Sequence, residues 1–325
     1  MIDAMRFSSR TVGLASAVIT VLIWTGFIVI ARASASRGLL PLDIALARIL
    51  GASAVLLPWA WWLMRPARQR GEPVGSLFGL SPLPWGQTVR AGFFGGLLYA
   101  VLAYSGFFFA PAAHASVLMP GSLPLWTTLL AWLVLREKIP NSRVLGLGFI
   151  VLGDLLVGGV SLLRAFEGGD VWKGDVLFMS AACCWAAYSV TVRRYGLDAV
   201  RATMAITAFA FVFFVPTYAL LTITGALPTH LPQAPWSEIL FQTAFQGGGS
   251  VVISGITFTQ MVRHFGPVRS TMITALVPGL SALGAVWFLG EPMHWNLVVG
   301  LALVTGGILF GVRQAKPVAA AGAKA

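Results

Sequence analysis

The chain has 325 residues, of which 57 % are apolar and only 10 % charged, and its mean hydropathy is +0.83. This composition excludes a pair of soluble domains and predicts an integral membrane protein. The formal net charge of +11 arises from basic residues in short clusters between apolar runs, a pattern that fits membrane topology and not a nucleic-acid-binding face.

Ten apolar runs of about 20 residues or more are long enough to cross the hydrocarbon core of a bilayer. They cover residues 11–32, 41–64, 88–110, 114–135, 143–163, 172–193, 201–224, 238–262, 267–289 and 293–313. The first run follows Arg6 and Arg10 and precedes Ala33-Ser34-Ala35, which imitates a signal cleavage site, but it is too long for a cleaved signal. We therefore predict an all-α membrane protein with ten transmembrane helices.

Basic residues predict the orientation of these spans. With a cytoplasmic N-terminus, 17 of the 22 basic residues lie on the cytoplasmic side, four lie outside, and Arg48 lies within span 2. The positive-inside rule then places the N-terminal segment 1–10 and the tail 314–325 in the cytoplasm. The tail contains mainly Ala, Gly and Lys and is predicted to be disordered.

A duplication organises the chain. Residues 115–157 align without a gap to residues 269–311, at an offset of 154. The identical pairs include Ser116/Ser270, Pro124/Pro278, Leu135/Leu289, Glu137/Glu291, Gly146/Gly300 and Gly153/Gly307. This predicts two five-helix repeats, 11–163 and 172–313, joined by an outer linker, 164–171. An odd number of spans per repeat requires the second to be inverted, and the charges agree: turn 136–143 has three basic residues, and its equivalent 290–297 has none.

Several motifs resemble those of the drug/metabolite transporter superfamily, in particular its EamA-like permeases. They are LIWTGF at 22–27, CCWAAYSVTVRR at 183–194, ARILGASAVLLP at 47–58, and the repeated Pro, Glu, Gly pattern of spans 4–5 and 9–10. One departure is Arg136, where the second copy has Gly290, so the geometry of the first turn does not follow from the resemblance.

The resemblance covers nearly the whole chain. It implies a 5+5 inverted-topology repeat around a central cavity, with spans 5 and 10 peripheral, in a bacterial inner (plasma) membrane. It also implies secondary transport, often export, of small organic solutes.

Several residues are candidates for binding a substrate in that cavity. Trp24, Trp185 and Tyr188 lie mid-span, where they form either an aromatic cavity wall or core packing. Gln242 and Gln246 share one face of span 8 with Ser250, next to Gly247-Gly248-Gly249. Cavity lining and interhelical hydrogen bonding both fit this polar face. The remaining candidates are Tyr104, Ser116, Met119, Ser270 and Thr274.

Other residues are candidates for gating and coupling. Pro120, Pro124 and Pro278 are either static kinks or hinges of a gate. Arg48 snorkels, pairs with Asp43 or binds a substrate carboxylate. A charged Asp154 would be costly in mid-membrane, so it is neutral, paired or proton-coupling.

Glu137 and Glu291 stand at span ends in both repeats. Their recurrence on opposite sides of the membrane favours structural capping of turns over catalysis.

The functional prediction is a secondary carrier with no metal or cofactor. No phosphate loop supports an ATP-driven pump, no ring of charges supports a channel, and the adjacent Cys183 and Cys184 suit packing. The expected partners are a small-molecule substrate and the lipid bilayer, without nucleic acid. The oligomeric state stays open, and a monomer suffices.

We expect export of neutral or aromatic amino acids by alternating access at a midplane cavity, with spans 3–4 and 8–9 moving. The alternative is export of hydrophobic or cationic drug-like compounds. A membrane-embedded enzyme is a remote alternative, since no acid and base residues converge.

Overall fold

The computed structural model describes residues 9–35, 37–72, 74–165 and 167–313. The predicted tail 314–325 and most of the N-terminal segment, 1–8, lie outside the described residues. Described regular structure is helical apart from one isolated bridge between Ser76 and Ser81.

The long helices follow one another with short connections. They are α1 (Ser9–Ser34), α2 (Pro41–Leu63), α3 (Trp85–Phe109), α4 (Ala112–Leu135), α5 (Asn141–Ala165), α6 (Val171–Tyr195), α7 (Ala199–Ile223), α8 (Trp236–Gln242, Thr243–Ile253 and Ser254–Thr274 without a break), α9 (Leu276–Leu289) and α10 (Trp295–Arg313). A short helix, Arg65–Gln69, and a 3₁₀ turn, Leu77–Gly79, lie between α2 and α3. We call the side where α1 ends and α2 begins the far side, and the opposite one the N-side.

Among the described residues, eight helices, α1 to α8, are long and apolar enough to cross a membrane. This confirms a multi-pass membrane protein. The other two, α9 and α10, are apolar but shorter, so the predicted ninth span begins inside the helix that ends at Thr274. Large apolar side chains such as Trp62, Leu163 and Trp287 point outward, where lipid rather than water would cover them.

Contacts along α1 show that the chain reverses direction after α8. Moving along α1 from Gly13 through Thr20 to Val29, the contacts are His264, then Thr257, then Gly284. The first two contacts run backwards along α8, whereas Gly284 belongs to α9 and lies near the far-side end of α1. The chain therefore turns back between His264 and Gly284.

Two glycines let the backbones of α2 and α8 touch. A Cβ on Gly51 would lie 2.1 Å from the Thr243 carbonyl oxygen, and one on Gly247 would lie 2.5 Å from the Ala52 nitrogen. Real Cβ atoms do not approach so closely, so only glycine fits either position. This contact sets Arg48 of α2 against the polar face of α8.

The second glycine crossing joins α5 and α10. A Cβ on Gly146 would lie 2.7 Å from the Gly307 carbonyl oxygen, and a Cβ on Gly153 would lie 2.7 Å from that of Gly300. Gly300 is the repeat equivalent of Gly146, and Gly307 that of Gly153. The contacts are thus reciprocal, as in an isologous interface around a two-fold axis.

Three π-helical segments interrupt the described helices. They are Gly92–Leu98 in α3, Val117–Gly121 in α4 and Thr243–Ile253 in α8. Such wider turns locally change the direction of side chains and occur often at functional sites. In α4 the segment contains Pro120, and the Ser122 hydroxyl donates to the Leu118 carbonyl at 2.7 Å.

The other two candidate gating prolines lie in first turns. Pro124 begins the α-helical stretch Leu123–Leu135, and Pro278 lies in the first turn of α9. A proline at the start of a helical stretch loses no hydrogen bond. The structure therefore places all three prolines where the helix is already irregular.

The two Glu-containing turns share one backbone conformation. Arg136 has φ 56° and ψ 30°, and its repeat equivalent Gly290 has φ 66° and ψ 20°. Both are left-handed, a conformation that costs a non-glycine residue about 1–2 kcal/mol. The departure from glycine at Arg136 therefore leaves the turn geometry unchanged, at the expense of strain.

We predict that Gly247→Ala separates α2 from α8 and destabilises the protein by about 1–3 kcal/mol, as overpacking does. The measurement is the midpoint of thermal unfolding of the purified protein. Gly248→Ala is the matched control, because a Cβ there meets nothing within 4 Å. Equal midpoints for the two variants would contradict the contact.

We also predict that Arg136→Gly raises the thermal midpoint, because it relieves left-handed strain worth roughly 1 kcal/mol. Lys138→Gly removes the same charge from the same turn, where φ is not positive, and should give no gain. A gain of the same size in both variants would attribute the effect to charge instead of backbone conformation.

Candidate functional site

Polar side chains from three helices meet where α2 contacts α8. This central cluster consists of Arg48 on α2, Tyr104 on α3, and Gln246 and Ser250 on α8. The Arg48 Nη1 donates to the Ser250 hydroxyl at 3.1 Å and lies 3.5 Å from the Gln246 carbonyl oxygen. The Tyr104 hydroxyl donates to Gln246 Oε1 at 2.9 Å. The cluster ties α2 and α3 to the π-helical segment of α8.

Two groups in the central cluster lack the partners that their chemistry favours. Arg48 forms no ion pair with any acidic side chain that the structure describes. Its guanidinium carbon instead lies 5.6 Å from the centre of the Phe27 ring. The Gln246 amide nitrogen is fully buried without a hydrogen-bond partner among the described residues. Two adjacent donors are therefore available to an anionic group.

Asp43, one of the alternatives for Arg48, is occupied elsewhere. Its carboxylate accepts from the hydroxyls of Tyr218 and Thr229 and from the backbone N–H groups of Leu40 and His230. These bonds fasten the start of α2 to α7 and to the loop before α8. The Arg48–Asp43 pair does not form.

An aromatic group adjoins the central cluster. Tyr99 of α3 lies 4.9 Å from Trp185 of α6, measured between ring centres, and Trp185 lies 5.1 Å from Tyr188. The Tyr99 hydroxyl contacts the Met119 sulfur at 3.8 Å and lies close enough to the Arg48 guanidinium for an electrostatic interaction. We call Tyr99, Met119, Trp185 and Tyr188 the aromatic wall. It brings α3, α4 and α6 next to Arg48.

The three polar residues of α8 contact three different helices. Gln242 donates to the Ser34 hydroxyl of α1 at 2.6 Å and to Glu238 at 2.7 Å, whereas Gln246 meets α3 and Ser250 meets α2. The shared face of span 8 therefore makes interhelical hydrogen bonds. Gln246 and Ser250 also belong to the central cluster, but Gln242 lies apart from it, towards the far side.

Two of the four remaining candidates, Trp24 and Ser116, make contacts outside the central cluster. Trp24 stacks on Phe258 at 5.2 Å, which packs α1 against α8. The Ser116 hydroxyl donates to the Ala113 carbonyl of its own helix. Ser270 is buried, and Thr274 is half-buried at the end of α8. The contacts described here do not join these four to Arg48.

Asp154 is buried in α5, with 7 % of its surface exposed. Neither of its carboxylate oxygens has a hydrogen-bond partner among the described residues. It shares the packed face of α5 with Ile150, Val157 and Ser161. The sequence left Asp154 as neutral, paired or proton-coupling. Among the described residues, no side chain pairs with it.

Two ion pairs on opposite sides of the protein connect the halves. On the far side, Arg32 bonds Glu291 at 2.9 Å, and on the N-side, Arg193 bonds Glu137 at 2.8 Å. Glu137 and Glu291 are repeat equivalents, and Arg32 precedes Arg193 by the same 161 residues that separate Trp24 from Trp185. The pairs therefore follow the same reciprocal rule as the glycines of α5 and α10.

The far-side pair makes more contacts than the N-side pair. Glu291 also accepts from the Ala112 backbone N–H at 2.9 Å, and Arg32 also donates to the Phe107 carbonyl at 2.7 Å. Side-chain exposure is 31 % and 12 % for Arg32 and Glu291, against 63 % and 38 % for Arg193 and Glu137. Glu291 thus bonds Arg32 of α1 and the first backbone N–H of α4.

Sequence reasoning missed Phe27, Tyr99 and both arginines of the ion pairs. A usable signal existed for the arginines, because their spacing equals that of the two motif tryptophans. Among the described residues, no group of three or more His, Cys, Asp or Glu side chains is placed to hold a metal ion.

A cleft of about 370 Å³ lies outside the central cluster, between α2, α8 and the loop before α8. Its lining is mainly apolar and includes Leu46, Leu50, Leu231 and Trp236, but not Arg48. The cleft therefore lacks the polar groups that would select a small polar solute.

Comparison with known proteins gives a consistent result. The sequence model of the EamA-like transporter family matches residues 11–159 and again residues 172–313. The chain is 24 % identical to the uncharacterized transporter YyaM of Bacillus subtilis, over 65 % of this chain and 70 % of that protein.

Two further relatives cover more of the chain. A WAT1-related protein of Arabidopsis thaliana is 24 % identical over 87 % of this chain and 77 % of its own length. An uncharacterized transporter of Archaeoglobus fulgidus is 23 % identical over 91 % and 96 % of the two chains. One solved crystal structure aligns with a TM-score of 0.53 and 23 % identity, over 94 % of this chain and 98 % of that one, which shows a shared fold.

Proposed function

The chain belongs to the EamA-like transporter family, and from that premise we propose that it is a secondary transporter that exports small organic metabolites, with neutral or aromatic amino acids as its first substrate class. The observation that carries this proposal is the partly buried Arg48 without an acidic partner among the described residues. An ionised side chain inside a membrane is costly unless it is paired, so a substrate anion is the natural partner.

The surroundings of Arg48 suit an amino acid. The substrate carboxylate would accept from the Arg48 guanidinium and from the unpartnered Gln246 amide, both strong donors to an anion. Its side chain would lie against the aromatic wall, where Trp185 and Tyr188 offer a mostly apolar surface. A carboxylate site beside an aromatic wall matches a neutral or aromatic amino acid.

The second candidate is export of hydrophobic or cationic drug-like compounds. The aromatic wall favours it, since aromatic faces attract cations. The positive charge of Arg48 disfavours it, because a cationic substrate would be repelled there. A membrane-embedded enzyme is the remote alternative. The family and two of the relatives, YyaM and the Archaeoglobus fulgidus protein, are named as transporters, which disfavours it.

The architecture that we propose is a ten-helix, 5+5 inverted repeat with halves 11–163 and 172–313. The twofold match of the family model supports two halves. The reciprocal glycine contacts of α5 with α10 and the two reciprocal ion pairs support a two-fold axis that relates them. We place the protein in a bacterial inner membrane with both termini cytoplasmic, so that the far side faces outward.

Transport would proceed by alternating access around the central cluster. The π-helical segments of α3, α4 and α8, together with Pro120, Pro124 and Pro278, would allow these helices and α9 to bend. The Arg32–Glu291 pair would keep the far side closed in one state, and the Arg193–Glu137 pair would keep the N-side closed in the other. The Arg32–Glu291 pair is the more buried and has more partners, which supports a cycle in which this pair closes the far side.

The first prediction of this proposal concerns Arg48. Wild-type protein in liposomes should show saturable counterflow of labelled phenylalanine or leucine, and Arg48→Gln should reduce it roughly 10- to 100-fold, the worth of a hydrogen bond to a charged group. Counterflow of phenethylamine, a cation that lacks the carboxylate, should not fall in Arg48→Gln. Arg90→Gln is the control, because Arg90 is exposed and contacts Tyr195.

The two outcomes separate the candidates. Undiminished phenylalanine counterflow in Arg48→Gln would refute the carboxylate site, and Trp185→Ala would still test the aromatic wall. A wild-type protein that carries phenethylamine but no amino acid would favour the drug-export alternative.

The next prediction concerns the far-side ion pair. In a background with Cys183 and Cys184 changed to Ala, a Ser116→Cys reporter should react with a membrane-impermeant maleimide faster when Glu291→Gln is added. We expect an increase of up to about fivefold, since such pairs contribute at most about 1 kcal/mol when partly exposed. Glu72→Gln breaks the exposed Arg70–Glu72 pair instead and should leave the rate unchanged.

A further inference from the structure

A second buried polar group lies where α4, α5 and α6 meet on the far side. His114 Nδ1 lies 2.8 Å from Asp175 Oδ1, and the Ser161 hydroxyl contacts Asp175 Oδ2. We call these three residues the His–Asp–Ser cluster. Their exposed fractions are 9 %, 5 % and 5 % for His114, Asp175 and Ser161. The central cluster and the aromatic wall include none of them.

The arrangement is not that of a hydrolase. In a catalytic triad the imidazole lies between the serine and the carboxylate, so that it can take the serine proton. Here the carboxylate of Asp175 lies between Ser161 and His114. The His–Asp–Ser cluster therefore lacks an activated nucleophile and is suited instead to holding a proton.

The hydrogen bonds of Ser161 are compatible with two protonation states. Its hydroxyl lies within hydrogen-bond distance of Asp175 Oδ2 and, at 2.9 Å, of the Gly158 carbonyl oxygen, but it has only one proton to donate. When Asp175 is ionised, Ser161 donates to it. When a proton is bound on Asp175, that carboxyl donates to Ser161, and Ser161 donates to Gly158. Both states satisfy the buried groups, so one proton can bind without an unpaired polar atom.

The position of the cluster links two other features. Ser161 lies seven residues beyond Asp154 on the same packed face of α5, about 10 Å along the helix. His114 follows by two residues Ala112, whose backbone N–H donates to Glu291 of the far-side ion pair. The cluster thus stands between the far side and the unpartnered carboxylate in the middle of α5, next to the contact that holds the far side.

Few other titratable groups lie on the packed elements. The described elements next to the cluster carry other charged or titratable side chains. They are Arg32, Glu291, Arg164, Glu167, Asp170, Lys173, His294, Tyr104 and Asp154. Several already have partners: Arg32 pairs with Glu291, and Lys173 pairs with Asp170 at 2.7 Å. Within the cluster itself, His114 and Asp175 are the two side chains with an exchangeable acid or base function, and they contact each other directly.

We propose that the His–Asp–Ser cluster is a proton-binding site, and that a proton entering from the far side through it, and passing towards Asp154, drives outward transport of the substrate. The proposal rests on the proposed function. In one cycle, one proton binds to the His114–Asp175 pair from outside and is released to the cytoplasm, and no other bond forms or breaks.

The transport test compares two assays of labelled phenylalanine in liposomes. Counterflow at equal pH does not need proton coupling, whereas accumulation driven by a pH gradient does. In both His114→Gln and Asp175→Asn, counterflow should stay within about twofold of wild type and gradient-driven accumulation should fall at least about tenfold. His264→Gln is the control, because that ring contacts the Gln260 carbonyl of its own helix. Full gradient-driven accumulation in both cluster variants would overturn the proposal.

A second measurement does not depend on any substrate. The solubilised full-length protein is brought from pH 8 to pH 5.5 in weak buffer, and the protons taken up are counted. If the cluster is the proton site, the wild type should take up about one proton per chain more than the His114→Gln/Asp175→Asn double variant. Equal uptake would overturn the proton site even where amino acid transport is found. Extra proton uptake by the wild type, without transport of any amino acid, would support the proton site and refute the proposed substrate.

Discussion

The close approach of α2 and α8 is the constraint on which the site depends. Because Gly51 and Gly247 carry no side chains, the two backbones touch, and Arg48 reaches the hydroxyl of Ser250 and the carbonyl of Gln246. With any larger residue at either glycine, the guanidinium would move away from α8. The same contact holds Gln246 where the Tyr104 hydroxyl of α3 can donate to it. The packing of α2 on α8 therefore also positions a hydrogen bond from α3.

The two-fold relation proposed between residues 11–163 and 172–313 would account for contacts that otherwise look unconnected. Gly146 meets Gly307 and Gly153 meets Gly300, while Arg32 meets Glu291 and Arg193 meets Glu137. In each set, exchanging a residue for its repeat equivalent converts one contact into the other. The glycine set packs α5 on α10, whereas the ion-pair set differs in burial between the two sides. An asymmetric state built from symmetric parts is what alternating access requires.

Buried polar groups indicate where function lies, because an unpaired polar or charged group inside a membrane is energetically unfavourable. Asp43 offsets that cost by bonding neighbouring elements, and Gln242 does so through its amide nitrogen only, since its Oε1 has no hydrogen-bond partner among the described residues. Arg48 and Asp154 do not have a charged partner among the described residues, and the single Ser161 proton has two acceptors within reach, Asp175 Oδ2 and the Gly158 carbonyl oxygen. The groups with unsatisfied chemistry, and not the polar groups in general, mark where a substrate or a proton would bind.

The sequence by itself determined the membrane class, most of the helices, the duplication and the family resemblance, because hydropathy and repeated motifs are properties of neighbouring residues. It also marked Arg48, Tyr104, Gln246, Trp185 and Tyr188, which the structure places in or beside one cluster. It left open whether Arg48 snorkels, pairs with Asp43 or binds a substrate, and whether the polar face of span 8 lines a cavity or bonds other helices.

The packing of the helices shows that Arg48 does not pair with Asp43 and that the polar face of span 8 bonds other helices, and the physical reason is the same in both cases. A helical period states which side chains share a face, but the partner of that face depends on how closely two distant helices approach. Gly51 and Gly247 set that approach for α2 and α8, and the π-helical turns of α3, α4 and α8 shift the faces further. His114 illustrates the limit: along the chain it is an isolated histidine at the start of a span, and only the packing of α4, α5 and α6 brings Asp175 and Ser161 to it.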